Sequence, residues 1–297
     1  MQPVLVLAGA TASGKTELAL ELAARFDAEI VGADSRQIYR DMPIGTAAPN
    51  SSQLASVPHH MVGFLDPNER YSAARYANDA TAVIRDILSR GKRAIVAGGT
   101  GFYVRALTGS VELAPQYDES LRERLAEEAK AHPPEFLHAW LALRDLRRAA
   151  ALEPGDTYRV VRALEVALAP PQSRARRGVL NTLVTAGIPF VKLFLDVAID
   201  ELDTRIERRT AAMIRGGLLE EAERIGAAAV ASSAVGYPQA LAYARGWSTA
   251  DELHASLARA TRRYARRQRA WFRREPLTRW ARRAEIAGIV ENELGWG

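Results

Sequence analysis

The sequence predicts an α/β fold, in which a parallel sheet core is flanked by helices and carries a mostly helical insertion. Three observations support this prediction. Short apolar runs alternate with longer helical patterns over the first hundred residues, a glycine-rich loop follows the first run, and no clear strand pattern occurs between residues 111 and 185. Strands that alternate with helices are typical of βαβ units, whose parallel strands are covered by helices on both faces.

The order of the elements follows from this alternation. Strands are predicted at Val4–Ala8, Glu29–Ala33 and Ala94–Ala97, and helices at Glu17–Arg25 and Ala73–Ser89.

After residue 110 the pattern changes. Residues 111–185 are rich in Leu, Ala, Glu and Arg and contain several proline pairs, which favours short helices. A strand pattern resumes at Phe190–Asp196, and the rest of the chain reads as helical almost to its end. We therefore expect a core made of residues 1–110 and 186–297, with a helical insertion at 111–185. Residues 174–178 are predicted to form a mobile loop.

The composition excludes several kinds of functional site. The 297 residues include 40 Lys and Arg, 35 Asp and Glu, and no cysteine, so disulfides, thiolate zinc sites and cysteine nucleophiles are excluded. The N-terminus has no basic leader, and no apolar run approaches the roughly 20 residues of a membrane-spanning helix. We expect a cytoplasmic protein without a membrane partner.

Positive charge is concentrated near the C-terminus. Eleven arginines and a single acid, Glu275, lie between Arg259 and Arg283. At helical spacing, one face of this segment carries arginines and the opposite face carries apolar and aromatic residues. The arginine face comprises Arg259, Arg262, Arg263, Arg266 and Arg267, and the opposite face comprises Leu257, Tyr264 and Trp271. Because no acids neighbour these arginines in the sequence, we expect them to be unpaired, and either solvated or in contact with a nucleic acid backbone, of which the second is favoured. The aromatic side is expected to be buried.

The most specific motif is a phosphate-binding loop after the first strand. It consists of Gly9, Ala10, Thr11, Ala12, Ser13, Gly14, Lys15 and Thr16, which match GxxxxGK[ST]. Between a strand and a helix, such a loop directs backbone N–H groups and the positive end of the helix dipole at one anion. We expect a P-loop NTPase-like core that binds a di- or triphosphate, with Lys15 against the phosphate oxygens and the Thr16 hydroxyl as a ligand of Mg²⁺.

Two aspartates end predicted strands, where parallel sheets bind their ligands. Asp34 ends the second strand, and three roles are open for it: general base, ligand of Mg²⁺ through water, or helix N-cap. Asp196 ends the later strand in the same way, and the sequence does not distinguish between the two. The residues after Asp34 offer a hydroxyl, a guanidinium and an amide on one short loop, from Ser35, Arg36 and Gln37.

Three further groups of residues have alternative interpretations. Gly98–Gly101 follows the third strand and places the Thr100 hydroxyl in a turn, which either approaches a ligand or only joins strand to helix. The pair His59–His60 lacks a further metal ligand at suitable spacing, so we expect it to pack in a loop. Arg205 and Arg209 share one helical face, where they either neutralise a leaving phosphate or pair with nearby acids, namely Asp200, Glu201 or Glu207.

Together these motifs resemble the tRNA dimethylallyltransferase family, also called tRNA isopentenyltransferases. The matching segments, in the family's order, are Gly9–Thr16, Asp34–Tyr39, Pro58–His60, Gly98–Tyr103, Tyr158–Glu165, Ala234–Tyr237 and Arg267–Arg273. The resemblance implies transfer of a dimethylallyl group from dimethylallyl diphosphate to N6 of the adenosine 3′ of the anticodon, in tRNAs that read codons beginning with U. It also implies that the helical insertion grips the anticodon stem-loop. We expect the protein to act as a monomer.

The resemblance also assigns roles to individual residues. The phosphate loop, Arg205 and Arg209 would bind the isoprenoid diphosphate, and Lys15, Mg²⁺ on Thr16 and the two arginines would stabilise it as a leaving anion. Asp34 would be the general base, and Thr100 would be a further catalytic residue. The residues implied to contact tRNA are Asp34, Ser35, Arg36, Gln37, Thr100, Arg122, Tyr158, Arg159, Val160, Val161 and Arg162. The chain departs from the family pattern at Ala10, where proline is usual, at Gly155–Arg159, and at residues 170–178, to which we assign no function.

Three alternative functions remain open. The first is prenyl transfer to free adenine nucleotides, as in adenylate isopentenyltransferases, against which the arginine face argues. The second is a small-molecule or nucleoside kinase, which would consume ATP. The third is an RNA-binding protein that uses a nucleotide only as a switch.

Overall fold

The computed structural model describes residues 2–111, 119–169 and 180–297. The chain forms two compact units, one made of Met1–Val111 and Asn181–Gly297, and the other of Glu112–Leu180. The boundary at Leu180 precedes the predicted one at residue 185, since the Asn181 N–H donates to Asn78 in the first unit. The predicted loop at residues 174–178 and the unassigned segment 170–178 lie outside the described residues.

The first unit is built on a parallel sheet of six strands with the order β3-β2-β4-β1-β5-β6. The strands are β1 (Val4–Gly9), β2 (Ala28–Gly32), β3 (His59–His60), β4 (Arg93–Gly98), β5 (Phe190–Leu195) and β6 (Thr278–Ala281). All strand pairs are parallel. Every residue of the central strand β1 is buried, because helices cover both faces of the sheet.

Helices connect and cover these strands. Those of the first unit are α1 (Lys15–Phe26), α2 (Pro43–Thr46), α3 (Ser51–Ser56), α4 (Ala73–Ser89), α5 (Gly101–Leu107), α10 (Ile199–Arg215), α11 (Leu218–Ile225), α12 (Tyr237–Ala244), α13 (Ala250–Arg273) and α14 (Arg283–Leu294), with a 3₁₀ turn at Val230–Ser233. On one face of the sheet, Leu5 and Leu7 of β1 pack with Leu18 and Leu22 of α1 and with Trp296. This apolar layer fixes α1, and therefore the phosphate loop before it, against the sheet.

Two of the strands were not predicted. His59 and His60 pair with Ile30 and Val31 as the edge strand β3, so the prediction that they lie in a loop is wrong. β6 pairs with β5 inside the arginine-rich segment, so the prediction that the chain after Asp196 is helical almost to its end is also wrong. Both strands are short and lie at the edges of the sheet, where one side faces solvent and a polar sequence is tolerated.

The second unit is helical over its described residues. It contains α6 (Glu119–Ala131), α7 (Pro134–Arg144), α8 (Leu146–Ala150) and α9 (Thr157–Leu168). Its core is formed by Leu125, Leu137, Leu141, Ala149, Val160, Ala163 and Leu164. In the described parts of both units, no helix is long and apolar enough to cross a membrane.

Candidate active site

The phosphate loop connects the carboxyl end of β1 to the N-terminus of α1. Gly14 adopts a left-handed conformation (φ 87°) just before α1 begins at Lys15, and Ala12 adopts one as well (φ 62°). A left-handed alanine costs roughly 1–2 kcal/mol, and such strained residues concentrate in ligand-binding loops. The loop thus turns tightly enough to present the first N–H groups of α1 to an anion.

Lys15 provides a cation without a fixed protein partner. Among the described residues, none accepts a hydrogen bond from its ammonium group. Burial lowers the pKa of Lys15, the nearby Asp34 carboxylate opposes this by raising it, and the Arg209 guanidinium lowers it further. Lys15 therefore shares this site with a second cation, Arg209, and with the carboxylates of Asp34 and Glu17. The Ser13 hydroxyl is also buried without a hydrogen-bond partner, which fits a loop that receives phosphate oxygens.

Two arginines of α10 face the phosphate loop. Arg205 donates from Nη1 to the Ser13 carbonyl at 2.8 Å, and it also pairs with Glu201. Within the described parts of the chain, Arg209 makes one long hydrogen bond, from Nη2 to the Thr46 carbonyl at 3.4 Å, and its Nε is buried without a partner. Burial lowers the pKa of Arg209, and the Asp34 carboxylate opposes this. The alternative that these arginines pair with nearby acids therefore holds in part for Arg205, which pairs with Glu201. It does not hold for Arg209 among the described residues.

Asp34 lies in the turn after β2. Its Oδ1 accepts a hydrogen bond from the Arg36 N–H at 2.9 Å, so it stabilises a turn and does not cap a helix. The oxygen Oδ2 takes no part in this bond. The rival residue Asp196 is held by Arg269 at 3.0 Å, so of the two aspartates only Asp34 contributes its charge to Lys15.

The turn after β4 packs directly on the Asp34 loop. Thr100 accepts the Ser35 N–H at Oγ1 (2.9 Å), and its own N–H donates to the Ala33 carbonyl (3.1 Å). A Cβ at Gly98 would lie 2.1 Å from the same Ala33 oxygen, so only glycine allows this approach. Thr100 therefore fixes the position of the residues on either side of Asp34.

Gln37 is oriented by the end of α2. Its Nε2 donates to the carbonyls of Thr46 (3.1 Å) and Ala47 (2.9 Å). Because both amide hydrogens are used, Gln37 offers only its Oε1 to a ligand, as an acceptor. These two hydrogen bonds fix the Gln37 side chain. Gln37 lines a cavity together with Lys15, Thr16 and the apolar Val62.

The N-terminus of α2 is held by a buried carboxylate that the sequence did not single out. Glu221 accepts the N–H groups of Ile44 (2.9 Å) and Gly45 (2.7 Å) and the hydroxyl of Tyr237 (2.7 Å). Tyr237 belongs to one of the segments that carry the family resemblance, but nothing in the sequence predicts its partner, which lies on another helix.

The predicted tRNA-contacting residues of the second unit differ in exposure. Tyr158 is 71% exposed, and Arg159 is exposed and pairs with Asp156. Arg122 and Arg162 both pair with the buried carboxylate of Glu165. Val161 packs against the core of this unit.

One of these predictions requires correction. The side chain of Val160 is fully buried in the core of the second unit, so the prediction that it contacts tRNA is wrong for this side chain. A helix must bury one face, and in α9 this face includes Val160.

The arginine face of α13 is only partly free. Arg259, Arg263 and Arg267 are exposed, but Arg262 pairs with Asp203 and Glu207 of α10, and Arg266 lies 3.9 Å from Asp203. The expectation that acids do not neighbour this face is therefore wrong for Arg262 and Arg266. The acids come from a different helix, and spacing within one helix cannot reveal them. Of the predicted inner face, Leu257 is buried and Tyr264 and Trp271 are partly buried.

A phosphate loop, two arginines and a carboxylate at the carboxyl edge of a parallel sheet define a P-loop enzyme that acts on a phosphorylated ligand. The family described as "IPP transferase" matches residues 37–275, and the family described as "Isopentenyl transferase" matches residues 2–66. The chain belongs to the IPP transferase family.

Individual relatives agree with this assignment. A curated tRNA dimethylallyltransferase of Anaeromyxobacter sp. (strain Fw109-5) is 44% identical over 94% of each chain. The solved tRNA isopentenylpyrophosphate transferase of Bacillus halodurans is 32% identical, with a TM-score of 0.71 over 99% of this chain and 97% of that one. A eukaryotic dimethylallyltransferase acting on tRNA shares the fold, with a TM-score of 0.75 at 23% identity over 98% and 76%. The predicted family, P-loop NTPase-like fold and prenyltransferase class are confirmed.

Proposed function

We propose that the protein transfers the dimethylallyl group of dimethylallyl diphosphate to N6 of the adenosine immediately 3′ of the anticodon, in tRNAs that read codons beginning with U. The observation that carries this proposal is the arrangement around Lys15. The Lys15 ammonium of the anion-binding loop and the Arg209 guanidinium lie close enough to the Asp34 carboxylate for their charges to interact, and Arg205 donates to the Ser13 carbonyl of the same loop. One site therefore offers cations for a leaving diphosphate and a base for an incoming amine.

The cationic side of the site binds the donor and stabilises the leaving group. When the bond between the allylic carbon and the diphosphate oxygen breaks, negative charge builds on that oxygen. Lys15, the N–H groups at the start of α1 and the guanidinium groups of Arg205 and Arg209 would neutralise it. The buried Ser13 hydroxyl and Arg209 Nε, which have no partner within the described chain, support this assignment because a diphosphate would satisfy both.

We also propose that Mg²⁺ binds with the donor. The described residues contain no cluster of three or more His, Cys, Asp or Glu side chains that could hold a metal. The Thr16 hydroxyl in the first turn of α1 nevertheless fits the usual Mg²⁺ environment of a phosphate loop, in which diphosphate oxygens and water complete the coordination. The ion would supply further positive charge to the leaving diphosphate.

The Asp34 side of the site acts on the acceptor. As N6 forms its bond to the allylic carbon, it must lose a proton, and Asp34 Oδ2 would take it because Oδ1 is engaged by the Arg36 N–H. The fixed Oε1 of Gln37 would accept the second N6–H. Thr100 holds the Ser35 end of this loop in place. The target base must leave its stack to reach the site, at a cost of a few kcal/mol, roughly.

The tRNA itself would be bound by basic and exposed residues of both units. In the second unit, Tyr158 and Arg159 are at the surface. Arg162 lies on the same helix as these two residues, and Arg122 lies on another helix of this unit. In the first unit, Arg259, Arg263 and Arg267 are exposed and suit phosphate contacts. We propose that the protein acts as a monomer in the cytoplasm.

The direct test uses labelled dimethylallyl diphosphate, Mg²⁺ and an anticodon stem-loop with three adenosines after the anticodon, in the absence of ATP. We expect label in the RNA, and none when the first of these adenosines is replaced by guanosine. AMP serves as the competing acceptor. Labelled AMP with unlabelled RNA would instead identify an adenylate isopentenyltransferase, and ATP consumption without any prenyl transfer would identify a kinase.

A further inference from the structure

A buried amide on α13 joins the two loops that form the site. Gln268 is 5% exposed. Its Oε1 accepts the N–H of Thr11 at 2.8 Å, and its Nε2 donates to the carbonyl of Gly99 at 2.9 Å. Thr11 belongs to the phosphate loop, and Gly99 immediately precedes Thr100. One side chain therefore bridges the loops assigned to the donor and to the acceptor.

The fit around this amide is close. A Cβ at Gly99 would lie 2.2 Å from Gln268 Nε2 and 3.0 Å from the Gly9 carbonyl. The end of β1, the turn after β4 and the amide thus leave no room for a larger residue at Gly99. A primary amide is also the neutral side chain that places a donor and an acceptor on one rigid plane. Both the size and the hydrogen-bonding pattern of Gln268 are specified by its surroundings.

The helix that carries Gln268 is itself fixed to the sheet. Arg269 donates to Asp196 at 3.0 Å and to the Val197 carbonyl at 2.9 Å, at the end of β5. Trp271, about one turn later on the same helix, packs against Gly101. The anchor at β5 means that Gln268 holds the two loops relative to the sheet as well as to each other.

We propose that Gln268 is a positioning residue that sets the separation of the donor loop and the acceptor turn, so that binding of one substrate favours binding of the other. This inference rests on the proposed function. A loop that is already ordered by one substrate has less conformational freedom left to lose, and a rigid bridge passes this order to the loop of the second substrate. The amide of Gln268 is engaged by backbone groups of the two loops, so its effect is on alignment.

The test measures the coupling between the two substrates in the full chain. The affinity of the anticodon stem-loop is determined with and without the unreactive thiolodiphosphate analogue of the donor, for the wild type and for Gln268→Met. We expect the analogue to tighten stem-loop binding at least fivefold or so in the wild type, which is at the lower end of ordinary coupling. In Gln268→Met we expect this factor to fall close to one. We also expect kcat to fall roughly 10- to 100-fold, with each KM changed less than about threefold, because small misplacements reduce turnover at full occupancy.

A matched variant separates positioning from stability. Phe272→Leu alters a buried side chain of the same helix that packs on Phe194 and, unlike Gln268, cannot hydrogen-bond with either loop. It should lower the melting temperature while coupling and kcat stay near the wild-type values. If Phe272→Leu loses as much coupling as Gln268→Met at equal thermal stability, Gln268 has only a structural role and the proposal is overturned.

A second variant keeps the proposal testable if Gln268→Met fails to fold. In Gln268→Glu, the ionised carboxylate still accepts the Thr11 N–H but repels the Gly99 carbonyl, whereas the protonated carboxyl restores the donor. Burial raises the pKa of such a group. We expect its kcat, relative to the wild type at the same pH, to recover as the pH falls from 8.5 to 6.

The remaining outcomes are equally decisive. If the kcat of Gln268→Glu relative to the wild type does not change with pH, the proposal is overturned. It is also overturned if the wild type shows no coupling between the substrates. A wild type that transfers no dimethylallyl group at all refutes the proposed function, and the inference with it.

Discussion

The carboxylate of Glu29 should control how the stability of the first unit depends on pH. Glu29 lies on β2, the strand that ends at the Asp34 loop, and it is buried. Its Oε2 accepts from Arg90 Nη2 at 2.8 Å and lies 2.7 Å from His60 Nε2. Hydrogen bonding to Arg90 lowers the pKa of Glu29 from 4.5 to about 2, although burial acts in the opposite direction.

The magnitude follows from that pKa difference. A pKa of 4.5 in the unfolded chain and about 2 in the folded one corresponds to about 3 kcal/mol, at about 1.4 kcal/mol per pH unit. Because the Arg90 side chain is 42% exposed, solvent screening reduces this to roughly 2 kcal/mol. Because the pKa of Glu29 is lower in the folded chain than in the unfolded one, the ionised carboxylate stabilises the folded chain. Its contribution is complete above pH 4.5 and is lost as the pH falls through that value towards 2.

The assay is urea denaturation of the wild type and of Glu29→Gln at several pH values between 7 and 2.5, with unfolding monitored by circular dichroism. At pH 7 the variant should be less stable by roughly 2 kcal/mol, and the difference should shrink as the wild type approaches pH 2.5. The control is Glu291→Gln, which removes an exposed pair with Arg25 and should change stability by less than about 1 kcal/mol. A Glu29→Gln deficit that stays constant across the whole pH range would refute the reasoning.

Three further predictions concern the site. Asp34→Asn should lower kcat roughly 10²- to 10⁴-fold in single-turnover assays, with little change in stem-loop affinity, and a loss below tenfold would contradict its role as general base. Gly98→Ala should lower the urea midpoint strongly, since its Cβ would lie 2.1 Å from the Ala33 carbonyl oxygen, whereas Gly155→Ala, with open space around it, should not. Arg209→Gln should raise the KM for dimethylallyl diphosphate by roughly 10- to 100-fold, as expected for a lost charge-assisted contact. An unchanged KM would place the diphosphate elsewhere.

Much of the core could be predicted because its elements have strong local signals. The buried strand β1 is an uninterrupted apolar run, and α4 was predicted at its observed bounds, Ala73–Ser89. The phosphate loop was evident because its function constrains consecutive residues. The edge strands β3 and β6 lack such signals, since they are short and half of their surface tolerates polar residues.

The supports of the site could not be predicted in the same way. Glu221 caps α2 from another helix, and Gln268 bonds with backbone groups 257 and 169 residues away. A hydrogen bond to a backbone group does not depend on the side chain of the residue that provides that group. The residue type therefore does not indicate that the bond exists. The acids that pair with Arg262 were missed for a related reason, since they lie on α10 and not on α13. The sequence around Gln268 shows only a neutral residue within a run of arginines.

The position of α13 in the chain has a consequence for synthesis. The ribosome makes Thr11 257 residues before it makes Gln268, which at roughly 5–20 residues per second is an interval of roughly 10–50 s. Throughout this time the phosphate loop lacks the helix that fixes it, and so does the Gly98–Gly101 turn once it has been made, 169 residues before Gln268. A nascent chain therefore cannot assemble a working site from its N-terminal half, and activity begins only once the arginine-rich helix has emerged and docked.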